Sequence, residues 1–251
     1  MSSSLTRSVA LAALAFAATA ATAATAATPV RTERIGRSVR DRPIRAVRVG
    51  PADAARTVLV VGEIHGNERA GEAVTRRLRH AKPPDGVAIW LVDEINPDGG
   101  RADTRQNAHG VDLNRNFNWH WRPQDRPWGT YYSGPRAFSE PESRAAKRLI
   151  KRIRPRVAIW YHQHLALVDD PSDADDRIAR RYAKLVGLPF KHLPRYHGIA
   201  TGWENREIEH GTAFVVELPA GSLSNADEHT HAVAVLDLAK RYAAPDAAAR
   251  R

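Results

Sequence analysis

The sequence contains no cysteine and a single methionine. Disulfide bridges and thiolate metal ligands are thereby excluded, so any bound metal must rest on histidine and carboxylate side chains. Long apolar runs are equally absent. The longest, from Val9 to about Ala18, falls far short of the roughly 20 residues that cross a bilayer, and no transmembrane segment is expected. Acidic residues are the third shortage: 28 Asp and Glu stand against 38 Lys and Arg, a formal charge of +10. The arginines are dispersed from Arg31 to Arg251, and no basic run is interleaved with aromatics. That distribution argues against a nucleic-acid partner. It fits a solvated arginine-rich surface, or attraction to an anionic surface such as a cell wall or acidic peptides.

What is present begins with a leader-like segment. A lone Arg7 precedes the apolar run, and Ala-x-Ala sites follow around Ala20, Ala23 and Ala26. Residues 1–28 are therefore expected to be a secretory signal peptide, and the product to be secreted, extracellular or cell-wall associated. The polar, basic stretch 29–42 reads as a linker, residues 43–245 as one catalytic domain and 246–251 as a tail. A monomer is expected.

Within the domain, PIRAVRVG alternates apolar and polar residues as a half-exposed strand does, and Gly50 to Asp53 reads as the turn of a hairpin with the next strand, TVLVVG. That run, with VAIWLVDEI (Val87 to Ile95), VAIWYH (Val157 to His162) and AFVVEL (Ala213 to Leu218), is continuously apolar and β-branched, as strands covered on both faces are. Helices are expected after His65, from a capping box at Ser139 to about Ile153, and over Arg177 to Val186 and Thr230 to Tyr242. Strands alternating with helices imply an α/β fold: a three-layer α/β/α sandwich around a mixed, mostly parallel sheet. The stretch from Asn96 to Pro135 lacks periodicity, and so long a loop in a compact domain usually carries function.

Ligands of open α/β folds bind beyond the carboxyl ends of the strands. His65 and Glu68 lie at such an end, three apart, which in the first turn of a helix brings both to one face. Gly66 permits a tight turn there. A catalytic zinc takes three protein ligands and keeps a fourth position open. His162, ending another buried strand, is the expected third ligand in preference to His164, which shares its face. Glu217 ends a further apolar strand, where burial would suit it to act as a general base.

HGNE, NPDG, DLNRNF and GPRAFSEPES, followed by a strand-end His and a strand-end Glu, occur in the order found in zinc carboxypeptidases related to carboxypeptidases A and B, and from Ile35 to Ala220 the chain resembles that family. The resemblance implies that His65, Glu68 and His162 hold one zinc and that Glu217 takes a proton from the water the zinc activates. It implies that Arg105 polarises the scissile carbonyl and that Asn114 and Arg115 grip the substrate's terminal carboxylate. Asp112 would orient a zinc histidine. Tyr196 is the candidate for the family's mobile tyrosine, and Gln163 and His164 would line the substrate groove. The short run between Pro29 and the first strand leaves no room for a large inhibitory pro-domain, which points to the short members that resemble murein peptide amidases. The expected substrate is an ordinary peptide or a cell-wall peptide, cut at an amide bond next to a free carboxylate. A deacylase of N-acyl amino acids and a zinc-dependent binding module are the remaining readings.

Overall fold

The computed structural model describes residues 28–171 and 174–242. The expected signal, but for its last residue, and the expected tail lie outside the described residues. The stretch read as a linker is instead strand β1 (Val30–Arg37), paired antiparallel with β2 (Pro43–Val49). An edge strand exposed on most of its length needs no apolar alternation, so nothing in its pattern distinguished it from a linker.

Strand β3 (Arg56–Val61) does not fold back on β2. Strand β4 (Val87–Val92) lies between them, antiparallel to β2 and parallel to β3, so the expected hairpin at Gly50 to Asp53 is not formed. The physical reason lies in coverage. β3 is apolar on both faces and so belongs in the sheet's interior with helices over each face, its edges paired with β4 and with β5 (Val157–Asp169), both parallel to it. Two strands complete the sheet, both parallel to β5: the short β6 (Phe190–Lys191) and β7 (Thr212–Pro219). The sheet is mixed and mostly parallel, as expected.

Successive side chains of β3 serve opposite faces, as a period of two requires. Val58 and Val60 enter one core under α1 (Gly71–Leu78), α4 (Asp176–Val186) and α6 (Asn225–Tyr242). Leu59 and Val61 enter the other, with Trp160, under α3 (Pro141–Ile153) and α5 (Ala200–Glu207). These aliphatic side chains are almost fully buried, each stabilising the fold by roughly 1.5–3 kcal/mol. The long loop contains only the short α2 (Pro97–Ala102) and a single 3-10 turn over Leu113–Arg115.

Two local expectations are corrected. Helix α3 has Glu140, not Ser139, at its N-cap and no side-chain cap bond. The Ser139 hydroxyl donates to Glu140 Oε1, and Glu142 accepts from the Val39 N–H and from Asn107, so its carboxylate serves the loop rather than a capping box. Helix α5 has little apolar periodicity and was not anticipated.

On α5, Glu204 is buried beside Trp160, whose Nε1–H donates to Glu204 Oε2 at 2.9 Å; Glu204 Oε1 has no partner among the described residues. Burial pushes its pKa from 4.5 up to about 8. Because the folded pKa is raised, the folded chain holds a proton that the unfolded chain has released across this window. The stability Glu204 contributes is complete below pH 4.5 and is lost as pH rises through about 8. Glu204→Gln keeps the Trp160 bond and has no proton to lose. Unfolding free energies measured by denaturant titration from pH 4.5 to 8.5 are expected to fall for the wild type relative to the variant, by on the order of a few kcal/mol. Parallel curves would show that Glu204 is ionised in the folded chain.

Candidate active site

A groove of about 620 Å³ opens where β3, β5 and β7 meet the long loop. His65 and Glu68 sit on its floor, on a turn closed by the Glu68 N–H donating to the His65 carbonyl at 2.9 Å. Helix α1 begins only at Gly71, so the pair lies ahead of the helix rather than in its first turn. The cause is the packing of Gly66 on α2: a Cβ on Gly66 would lie 2.0 Å from the Gly99 carbonyl carbon. Glycine is needed there for close approach and not for an unusual dihedral.

Strand β5 runs past His162 to Asp169, so His162 is not a strand end. Its imidazole nonetheless reaches the floor of the groove. His65 Nδ1 and His162 Nδ1 are each 3.0 Å from Glu68 Oε2 and 3.2 Å from one another. A tetrahedral ion with ligands at about 2.0–2.2 Å separates them by about 3.3–3.6 Å, so a slight opening of this triangle fits zinc. The donor set, two imidazole nitrogens and a carboxylate, also suits it. His65 Nε2 lies 3.0 Å from Asp112 Oδ1, a bond that puts the proton on Nε2 and leaves the Nδ1 lone pair facing the other two donors.

Asp112 is fully buried and organises this wall of the groove. Its Oδ1 also accepts from the Asn114 N–H at 2.9 Å, and its Oδ2 accepts from Arg105 Nε and Nη2 at 3.0 and 2.9 Å. Burial opposes its ionisation, but the Arg105 charge and the hydrogen bond with His65 outweigh that and hold its pKa well below the ordinary carboxylate value. Arg105 Nη1 donates to Glu68 Oε1 at 3.0 Å. Three of the five Arg105 N–H groups are thus engaged, and two remain for a ligand. Asp112→Asn is expected to weaken zinc binding about 10- to 100-fold, measured by competition with a chelator; unchanged affinity would mean that the His65–Asp112 bond does not orient the ligand.

Arg115 is buried, with Nη1 donating to the Asn114 carbonyl at 2.7 Å and Nε without a partner among the described residues. Its guanidinium carbon lies 4.4 Å from the Tyr196 ring centroid and 5.0 Å from that of Tyr131. The two rings stack on each other 5.3 Å apart. Gly198 makes this closure possible: at φ +77°, its Cβ would lie 1.9 Å from the Arg115 carbonyl oxygen, so the segment carrying Tyr196 crosses directly over the 3-10 turn. Asn114 Oδ1 accepts the Ala200 N–H at 2.9 Å, which turns its Nδ2 towards His162. Thr201 lines the groove, whereas Glu204 turns away into the aromatic core.

The register of β5 and β7 pairs His162 with Glu217. Paired residues of parallel neighbours project from one face of the sheet, and Glu217 therefore lines the groove beside the histidine. Its carboxylate is half-buried rather than enclosed, unlike the buried base anticipated from the strand pattern. His164 is exposed on the groove wall and is not one of the three residues whose donor atoms converge.

Residues 17–175 match the family model described as zinc carboxypeptidase. The chain belongs to the zinc carboxypeptidase family. The match includes His65, Glu68, Asp112, Arg115 and His162 and stops short of Glu217, whose place in this family member rests on strand register. Murein peptide amidase A of Escherichia coli K12 is 31% identical over 155 residues, 57% of this chain and 64% of that protein. The matched region thus spans just under two thirds of the relative. A zinc carboxypeptidase of Simulium vittatum is 27% identical over 198 residues, 62% of this chain and 65% of that one. Among solved structures, murein-tripeptide amidase of Escherichia coli O157 is similar with a TM-score of 0.69 at 26% identity, covering 86% of this chain and 94% of that chain. Carboxypeptidase A of Helicoverpa armigera shares the fold, with a TM-score of 0.74 at 20% identity, over 87% and 69% of the two chains.

One residue lining this family member's groove, Tyr131, went unmarked in the sequence, whereas Gln163 lines it as expected. Tyr131 lies in the aperiodic loop, where only an exposed aromatic near Gly134 could have signalled it. The Gln163 side chain accepts the Ala70 N–H and donates to the carbonyls of Pro219 and Gly221, joining the start of α1 to the end of β7. No local pattern encodes such a bond between distant elements.

Proposed function

We propose that the protein is a zinc-dependent peptidase that hydrolyses an amide bond next to a free carboxylate. One observation carries this reading: a single groove contains the His65–Glu68–His162 triangle, the Glu217 carboxylate and, on its wall, the buried Arg115 with an unpartnered N–H. When bound, zinc supplies Lewis-acid polarisation and lowers the pKa of water. Glu217 takes the proton of the attacking water and returns it to the leaving amine. The free N–H groups of Arg105 face charge developing on the scissile carbonyl oxygen, a contribution typically of ~3 kcal/mol per donor. Arg115 and Asn114 bind the carboxylate and so select the bond to be cut. One zinc per chain is held, lost in His65→Ala and His162→Ala and retained in His164→Ala. Metal analysis of the three variants checks this, and retention in His162→Ala with loss in His164→Ala would overturn the ligand assignment.

The similarity to murein amidases, with coverage of nearly the whole solved one, favours cell-wall peptides as a second reading of the substrate. An exported protein would meet them, and the leader-like start of the chain supports export. Incubating the zinc-loaded protein with C-terminally free peptides and with muropeptides, and identifying products by mass, tests both substrates. No cleavage of either would sink the proposal.

A further inference from the structure

Glu63 lies two residues before His65 and is fully buried, and among the described residues neither of its carboxylate oxygens has a hydrogen-bond partner. An ionised carboxylate so placed is costly unless something positive meets it. Two other carboxylates converge on it. One oxygen from each of Glu63, Glu72 and Glu94 lies within 4.8 Å of the other two. The space between Glu63 and Glu94 is floored by Gly100: the point where a Cβ would stand is 3.2 Å from Glu63 Oε2 and 3.2 Å from Glu94 Oε2, with no other contact recorded within 4 Å. Any side chain at position 100 would fill the gap that the two oxygens face.

We propose that Glu63, Glu72 and Glu94 form a second, structural site for a hard divalent cation of the calcium type, beneath the loop that carries His65 and Glu68. The donors are oxygens alone, with no imidazole or thiolate, a set that suits calcium or magnesium rather than zinc or copper. Long glutamate side chains and a half-exposed Glu94 favour calcium, which accepts irregular geometry and water ligands, over magnesium, which demands near-ideal octahedra.

The cationic neighbours do not already fill this role. Arg69 Nε and Arg76 Nη1 donate to Glu72 Oε1 and Oε2 at 2.7 and 2.9 Å. They fix the third carboxylate in place, and each of its oxygens keeps a further lone pair. Arg69 Nη1 also donates weakly to the Gly100 carbonyl, at 3.4 Å, at the rim of the gap. Neither arginine bonds to Glu63, whose oxygens remain orphaned.

The position gives the ion a task. The Ile95 N–H donates to the Glu63 carbonyl at 2.9 Å, so Glu63 and Glu94 mark the ends of β3 and β4, while Gly100 belongs to α2 and Glu72 to α1. A cation bridging these carboxylates would tie the ends of β3 and β4 to α1, beside α2 and under the zinc-binding turn. It would act on stability and on the placement of that turn, not on the chemistry of the groove.

The test is thermal unfolding of the zinc-loaded, full-length protein at constant ionic strength, with and without millimolar calcium or magnesium chloride. For the wild type, calcium at about a hundred times its Kd is expected to raise the midpoint by roughly 5–10 °C. Glu63→Gln and Glu94→Gln are expected to lose this rise while retaining one zinc by metal analysis. Should Glu63→Gln fail to fold, the half-exposed Glu94→Gln still decides the matter. A rise with either ion that disappears in Glu94→Gln supports the site. No rise with either ion in the wild type, or an equal rise in Glu94→Gln, would overturn it and leave a proton on Glu63 as what satisfies the cluster.

Discussion

Glu217→Gln is expected to keep its zinc and its fold while hydrolysis falls by about 10²- to 10⁴-fold, the range that a positioned general base contributes. The amide has the shape of the carboxylate and cannot take a proton from water. Folding should be unaffected because the side chain contributes little to the core. It is half-buried, and the contact recorded for it is the Leu165 N–H at 3.5 Å from Oε2, too long to anchor the group. Zinc should be unaffected because the three donors come from the turn after β3 and from His162. Their geometry is set by Asp112 and by the β3–β5 pairing, which the variant leaves intact. The measurement is turnover on the substrate found by the mass assay, together with metal content and the unfolding midpoint. A fall in kcat with zinc and midpoint unchanged is the expected pattern. Turnover equal to the wild type would remove Glu217 from the mechanism.

The second large effect concerns Arg115. Burial, with the Arg105 charge adding to it against the pull of Asp112, lowers its pKa from the ordinary arginine value, yet a guanidinium remains charged in proteins. It is therefore a buried cation whose Nε has no partner, packed against two tyrosine rings that shield one region of it from water. A substrate carboxylate would complete its hydrogen bonding and neutralise it in the same step. Breaking such a charge-assisted pair costs about 2–5 kcal/mol, a fall in efficiency of about thirtyfold or more. Amidating the substrate's free carboxylate should impose that loss on the wild type. Arg115→Ala should be slow on the acid and should discriminate little between acid and amide. The comparison is kcat/KM for both substrates on both proteins. Equal cleavage of acid and amide by the wild type would show that Arg115 is not the carboxylate anchor. A muropeptide offering a carboxylate from diaminopimelate would obey the same rule, so this measurement reports on the pocket and not on the source of the peptide.

The groove is also lined by an aromatic residue that a linear reading did not mark, Tyr131. Tyr131 and Tyr196 meet only because Gly198 lets one loop lie against the 3-10 turn of another. Tyr196 was anticipated on family resemblance, and the structure adds Tyr131 as its stacking partner.

Much of the centre of the protein was legible in the sequence because its causes are local. The apolar β-branched runs at Val58, Val87, Val157 and Ala213 exclude water on both faces wherever they lie, so they had to become strands covered by helices on both sides of the sheet. The absence of cysteine confined any metal to imidazoles and carboxylates, and the motif order around His65, Asp112 and Arg115 was sufficient to suggest which ones. Exposed or short elements left no such trace. Strand β1 looked like a linker because an edge needs no apolar alternation, and helix α5 because it is held by Trp203 in an aromatic core rather than by an amphipathic stripe.

Strand order, register and loop closure were decided only by tertiary structure, because they depend on which distant surfaces bury best together. β4 enters between β2 and β3 and replaces the expected hairpin. Residues 162 and 217, 55 positions apart in the sequence, become partners only through the β5–β7 register. The turn at His65 stops short of a helix because Gly66 rests on Gly99, and Glu63 meets Glu94 only once β3 and β4 lie side by side. The types of residue that can bind zinc and move protons are written in the chain. Their distances of 3.0 to 3.2 Å arise from the packing of elements that carry no mark of one another.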